Sequence, residues 1–276
     1  MSPRVELWVE QRDGVPAVNP VVRLLLDDLA ADGHPVRVRV PEREPDLDPV
    51  DVVLLKTPTT LALALAATAE AGGARVANPA PASRAAGDKA FVVARLAAAG
   101  LPVPESHLRD PAGPPAAPPA GPGWVTKPVL GWHGGGVLVH ADAAAALGPG
   151  GCAPAVPGAL VDDGTRLLQR RVGGGEPDVK AYVAGEHVFA AEKAFDPSSF
   201  ARDEVRAVEL DAAADAVVRS AGEVLGLRLY GVDLRRGDAG PVVVDVNPFP
   251  GYRGFPAAAA AALRAEVDRV LGGVPR

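Results

Sequence analysis

Val244-Asp245-Val246-Asn247-Pro248-Phe249-Pro250-Gly251 is the stretch on which the reading of this chain turns. Valines alternating with polar residues mark a half-buried strand, and the Pro and Gly that follow end it. Asp245 and Asn247 lie two apart, so their side chains leave the strand on one face. Upstream, Gly237-Asp238-Ala239-Gly240 reads as a turn between this strand and another over residues 230–235, which carries Asp233 near its end. Three oxygen donors, Asp233, Asp245 and Asn247, then converge without histidine or cysteine. Such a set suits a hard cation such as Mg2+, completed by phosphate oxygens and water.

The chain of 276 residues is longer than one typical domain and shorter than three, so two units are expected. With 48% hydrophobic and 22% charged residues it can bury a sizeable core, and its 31 Gly and 29 Pro therefore mark loops rather than disorder. A net charge of −6 argues against a general binder of nucleic acid or anionic membrane, which needs a basic surface. The single cysteine, Cys152, excludes an internal disulfide framework and a multi-cysteine zinc site. The histidines (His34, His107, His133, His140 and His187) show no metal-ligand spacing. Residues 1–7 lack an apolar signal core, and the longest apolar stretch, near 61–69, is far below what spans a bilayer. A soluble cytoplasmic protein is expected.

Strands are read at residues 5–9, 36–40, 51–56 and 75–78, with helices at 19–31, capped by Asn19 with Pro20 behind it, and at 59–71. Strands alternating with helices predict parallel βαβ units, so residues 1–79 form a small α/β domain and 80–276 a second domain. A helix at 88–99 follows, then a Pro/Ala/Gly loop at 111–123, a hairpin of 124–129 with 136–140, a loop at 148–158 and a strand at 167–172. A hairpin of 178–183 with 187–193 comes next, then an Asp211-capped helix stopped by Gly226, and a terminal helix at 256–271.

Two lysines stand out. Lys89 begins a helix, and Lys127 lies in a partly buried strand, where an ammonium needs an anionic partner such as phosphate. Directly downstream lies Gly131-Trp132-His133-Gly134-Gly135-Gly136-Val137, whose glycines let backbone N–H groups approach phosphates. His133 is a candidate to touch a terminal phosphate or the substrate. The loop lacks the G-K-[ST] ending of a P-loop, and no G-x-G-x-x-G follows the first strand, which argues against a nicotinamide dehydrogenase.

The ordered series is Lys89, Gly100-Leu101-Pro102-Val103-Pro104, Lys127-Pro128, the Gly-rich loop, Gln169-Arg170-Arg171-Val172, Asp178-Val179-Lys180, Lys193, Gly231-Val232-Asp233 and Asp245-Val246-Asn247. It resembles the ATP-grasp superfamily over residues 75–256. The resemblance implies two α+β subdomains, about 88–172 and 173–276, clasping ATP behind a small parallel α/β domain. It implies that Lys89 and Lys127 bind ATP phosphates, that residues 131–137, His133, Gly134 and Gly135 among them, form a lid, and that Gln169, Arg170, Arg171 and Val172 receive adenine, mostly through backbone groups. Asp178 would lie near the ribose or bind Lys180. Lys180 and Lys193 would face the γ-phosphate and the acceptor, and Asp233, Asp245 and Asn247 would hold Mg2+.

Two branches are nearest. RimK-like amino-acid ligases join a carboxylate to an amine; inositol trisphosphate kinase-like enzymes phosphorylate a hydroxyl. Asp245 in place of the ligases' usual Glu, and Phe249-Pro250-Gly251-Tyr252, look more like the kinase branch, and residues 194–200 lack the Ser-Asn-x-His-x-Gly-Gly pattern of RimK-like enzymes. A polyphosphorylated kinase substrate would need a basic cluster, for which Arg12, Arg23, Lys56, Arg202 and Arg253 are the candidates, and the acidic chain shows none. An ATP- and Mg2+-dependent carboxylate–amine ligase, acting through an acyl phosphate on small amino-acid-like substrates, is therefore expected, with the small-molecule kinase as the alternative. Arg253 is a candidate anchor for an acidic substrate. Dimers and tetramers are common in the superfamily, which leaves a homo-oligomer open.

Overall fold

The computed structural model describes residues 2–110, 121–131, 136–147, 164–173, 177–193 and 205–272. The first part is a parallel sheet of β1 (Val5–Trp8), β4 (Val36–Arg39), β5 (Val52–Leu55) and β6 (Arg75–Ala77), in the order β4-β1-β5-β6. A short hairpin of β2 (Gln11–Arg12) and β3 (Val15–Pro16) precedes α1 (Pro20–Ala31), and α2 (Thr60–Ala71) links β5 to β6. Asn19 caps α1 as expected, accepting from the Val22 N–H at 3.0 Å, and Thr59, read as the first residue of its helix, caps α2 by accepting from the Ala62 N–H at 3.3 Å.

Sheet residues alternate between two cores. Val5, Leu7, Val52 and Leu54 meet Leu25 and Leu29 of α1 and Leu263 and Val267 of the terminal helix α7 (Pro256–Leu271), while Trp8, Val53 and Leu55 meet Leu63 and Ala66 of α2. Both faces of this sheet are covered, which is why Val52-Val53-Leu54-Leu55 is apolar throughout.

The second sheet holds β7 (Ser106–Arg109), β8 (Pro122–Pro128), β9 (Leu138–Asp142) and β10 (Arg166–Arg170), antiparallel in the order β7-β10-β8-β9. Short α5 (Ala143–Leu147) packs on its outer face against Trp124 and Leu168. The third sheet has the order β13-β12-β11-β14-β15, from β11 (Asp178–Ala184), β12 (His187–Lys193), β13 (Arg206–Val208), β14 (Leu229–Gly237) and β15 (Gly240–Pro248). Its inner face packs Ala181, Val183, Val232 and Val246 against α4 (Lys89–Ala98) and α6 (Ala212–Leu225).

Several elements differ from the sequence reading. Helix α3 (Ala80–Ala86) was not anticipated, because its Pro81 reads as a loop residue; it sits in the first turn, where its missing N–H costs nothing. The edge strands β7 and β13, of four and three residues, carry too short a pattern to read. Pro122 and Gly123, read as loop, open β8, since Pro122 pairs with Asp142 across the sheet. The loop expected at 148–158 lies outside the described residues. No helix among the described residues is long and apolar enough to cross a membrane.

Asn78, buried just past β6, joins the first sheet to the third. Its amide donates to Leu229 O at 2.7 Å and accepts from the N–H groups of Arg228 and Leu229, each at 2.8 Å. Asn78→Ala strands three backbone groups, two of them fully buried and one partly. The expected loss is about 3 kcal/mol, near the low end of the penalty for three such groups, read as a lower midpoint in urea unfolding.

Candidate active site

The third sheet's register builds one charged face. β14 sets Asp233 opposite Asp245 and Gly231 opposite Asn247. β11 sets Lys180 opposite Asp233, and β12 sets Lys193 opposite Asp178. With Val232, Val246 and Ala181 turned into the core, the intervening Asp233, Asp245, Asn247, Lys180 and Asp178 emerge on the other side. The sheet thus brings together all three oxygen donors and both downstream lysines of the sequence reading.

A register shift after Asp233, where Leu234 pairs with Val243, leaves Val244 as the extra residue. The freed Val244 carbonyl accepts from Lys127 Nζ at 2.9 Å, and Lys127 also donates to Gln169 Oε1 at 2.8 Å. Lys127 therefore spans from β8 of the second sheet to β15 of the third. Lys89, the first residue of α4, is held against the end of β8: its N–H donates to Val129 O at 3.0 Å and its ammonium to Gly131 O. Lys89, Lys127 and Asp245 line one small cavity with Val103, Leu167 and Val243.

No protein-family model matches the chain. A probable alpha-L-glutamate ligase of Stenotrophomonas maltophilia (strain K279a) is 31% identical over 204 residues, 67% of this chain and 65% of that protein. The chain thus spans just under two thirds of that relative's length. Among solved structures, the RimK domain ATP-grasp protein from Sphaerobacter thermophilus DSM 20745 superposes with a TM-score of 0.71 at 22% identity, covering 95% of this chain and 98% of its own. This chain has the ATP-grasp fold. D-cycloserine synthetase DcsG is similar to the same degree, with a TM-score of 0.71, 22% identity and coverage of 97% and 99%.

In the ATP-grasp cleft the charges are paired unevenly. Lys180 Nζ lies 2.8 Å from Asp233 Oδ1 and 3.2 Å from Oδ2. Burial pulls the Lys180 ammonium down, but the charge and hydrogen bond of Asp233 more than reverse this, and its pKa ends above the ordinary lysine value. Of the two places expected for Asp178, near the ribose or bound to Lys180, the second is corrected: Asp178 is paired with Arg235 Nε at 3.2 Å, because Lys180 sits opposite Asp233 while Asp178 lies one pleat further along. Burial raises the Asp178 carboxyl, with Arg235 opposing. Burial also lowers Lys127, against the pull of Asp245, and lowers Lys193, helped by the positive charges of Lys180 and Arg253.

Asp178 Oδ1 and Asp233 Oδ1 are buried and accept no well-directed hydrogen bond, so the cations facing them neutralise charge without saturating their lone pairs. The spare lone pair of Asp233, with Asp245 and Asn247 on the same face, is of the kind that a hard cation takes. Among the described residues no three His, Cys, Asp or Glu side chains group as metal ligands. A cation held by Asp233, Asp245 and Asn247 would draw two carboxylates and one amide from the protein.

Four residues of the sequence reading, Gln169 to Val172, stand at the carboxyl end of β10, an inner strand of the second sheet. The Arg170 and Arg171 N–H groups are spent on Glu105 O (2.8 Å) and Gly123 O (2.9 Å), and β10 ends at Arg170, before Val172. Backbone recognition of a base by residues 169–172 would therefore use groups other than these two N–H. Arg170 also stacks over Trp124 at 4.3 Å, and the buried Gln169 side chain serves Lys127. Arg253 is exposed after β15, close enough for its charge to reach Lys193 and Tyr182. His133, Gly134 and Gly135 lie outside the described residues, as does Arg202. Of the other basic candidates, Arg12 is paired with Glu10, Arg23 is exposed on α1, and Lys56 is turned toward backbone carbonyls. Sequence reasoning missed Arg235, although it lies two beyond Asp233 and period-two alternation would have placed it on the same face.

Proposed function

We propose that this ATP-grasp protein is an ATP-dependent carboxylate–amine ligase that forms an amide or peptide-like bond through an acyl phosphate. The observation that carries the reading is that Lys89, Lys127 and Asp245 line one cavity, with Asp233 and Asn247 beside Asp245 on the same sheet face. In this reading Lys89 and Lys127 neutralise ATP phosphates, and Gln169, Arg170, Arg171 and Val172 border the adenine. Residues 133–135 belong to a lid. Asp233, Asp245 and Asn247 hold Mg2+, which when bound offsets negative charge on the phosphates. Lys180 and Lys193 face the transferring phosphoryl group and the acceptor, and Arg253 anchors an acidic group of the substrate.

A carboxylate oxygen of the first substrate attacks the γ-phosphorus and ADP leaves. The amine nitrogen of the second then attacks the acyl carbon, the C–O bond breaks, and phosphate departs with that oxygen. The amine's proton goes to solvent or to Asp178, whose proton affinity burial has raised. The protein's contribution is positioning and charge neutralisation. The relative named as a glutamate ligase supports amino-acid-like substrates. A division at residues 79/80, a cytoplasmic site of action, small-molecule rather than nucleic-acid or membrane partners, and a homo-oligomeric state left open complete the proposal.

Hydroxylamine trapping tests it. With ATP, Mg2+ and a library of carboxylic acids, a hydroxamate forms together with ADP. ADP formation only with polyols, and no hydroxamate, would replace the ligase with the kinase alternative.

A further inference from the structure

Lys56 follows β5 at the carboxyl end of the parallel sheet, beside β1, where the strand order reverses and open α/β sheets usually take ligands. Its N–H donates to Trp8 O at 2.9 Å, which fixes the base of the side chain. The ammonium is not presented to a ligand. It crosses to the loop leaving β15 and donates to Phe249 O at 2.9 Å and Pro250 O at 3.1 Å, with the Phe249 ring 5.1 Å away. Its two acceptors are neutral carbonyls, so burial pulls it down to about 8, with Glu10 opposing. An ammonium held at that cost needs a reason.

The loop it grips is strained. Phe249 and Tyr252 have φ of 44° and 50°, the left-handed region that side chains bearing a Cβ disfavour. Such conformations persist only where the surroundings over-determine them. Here the Phe249 N–H donates to Leu229 O at 2.7 Å, Tyr252 Oη donates to Val183 O at 2.8 Å, and Lys56 holds the two carbonyls between. Asn247 lies two residues before Phe249, and Asp245 four.

We propose that Lys56 is a positioning residue for the metal-binding end of β15: by gripping the Phe249 and Pro250 carbonyls it sets the direction in which Asn247 and Asp245 leave the strand. The inference rests on the reading of Asp233, Asp245 and Asn247 as metal ligands. It makes the first sheet part of the metal site without contributing a ligand.

The test uses the full chain with Lys56→Met, Lys56→Gln and Lys56→Arg, a fluorescent non-hydrolysable ATP analogue, and a Mg2+ titration from EDTA upward. The two neutral variants are expected to bind the analogue in EDTA as the wild type does. The Mg2+ concentration that half-maximally tightens binding rises about tenfold, the low end of the effect of losing a partner that orients metal ligands. Backbone amides of residues 245–252 exchange faster with deuterium in both, and Lys56→Arg recovers part of each effect. A Mg2+ response equal to wild type in both neutral variants overturns the proposal. So does an equal loss of binding with and without metal, or failure of both variants to fold, since each marks a structural role. Wild-type protein whose nucleotide binding ignores Mg2+ overturns the metal reading and the proposal with it.

Discussion

Asp245→Ala lowers turnover by about two to three orders of magnitude, the usual cost of deleting one fixed electrostatic group from a transition state, while the fold survives. Asp245 faces Asp233 directly across β14 and β15, and Lys180, bound to Asp233, offsets only one of these two like charges. Removing one relieves the repulsion in the empty protein, so the melting temperature stays level or rises slightly. Activity moves the other way, because the proposed cation site loses one of its two carboxylates. Asp245 is also a charge that keeps the buried Lys127 protonated, so its loss weakens the lysine as well. Turnover at saturating ATP and Mg2+, with a melting curve on the same sample, checks this. Near-normal turnover would show that the metal lies elsewhere.

Lys127→Met raises the KM for ATP and lowers turnover, each by about a hundredfold, as expected for loss of a fixed charge on a phosphoryl group. Met fills much of the stem's volume but leaves Val244 O and Gln169 Oε1 without their donor, so stability falls by about 2 kcal/mol, within the range for buried acceptors left unpaired. The pH dependence carries a second signature. Lys127 has a folded-state pKa depressed below 10.5, so between that lowered value and 10.5 the folded chain binds fewer protons than the unfolded one. Stability therefore rises with pH across that window. Lys56 and Lys193 are depressed too and contribute to the same rise. The Lys127→Met variant is expected to show a shallower rise, measured as urea midpoints up to pH 10.5.

Local patterns carried much of the architecture. Asn19 and Asp211 accept the helix N–H expected of caps, while Thr59 and Asp88, read as the first residues of their helices, turn out to be caps as well. Alternation put Asp245 and Asn247 on one face, and the register bears that out. What could not be read depends on partners distant in the chain. The Lys127 acceptor is a carbonyl exposed by a register slip more than a hundred residues downstream, and nothing in Val243-Val244 signals the slip. Asp178 went to Arg235 rather than Lys180 because strand pairing, not spacing along β11, chose its neighbour. Likewise the terminal Ala-rich helix gives no sign of closing the first sheet's face, and Lys56 shows none of reaching Phe249, 193 residues away.

The central claim is that a carboxylate accepts the γ-phosphoryl group in this cleft. The most direct test supplies the acid identified by hydroxamate trapping with 18O in its carboxylate, plus ATP, Mg2+ and the amine, and reads the released phosphate by 31P NMR. An acyl-phosphate ligase leaves one 18O in each phosphate formed, with ADP and amide in equal amounts. Unlabelled phosphate, or ADP accompanied by a stable phosphate ester and no free phosphate, would contradict the account.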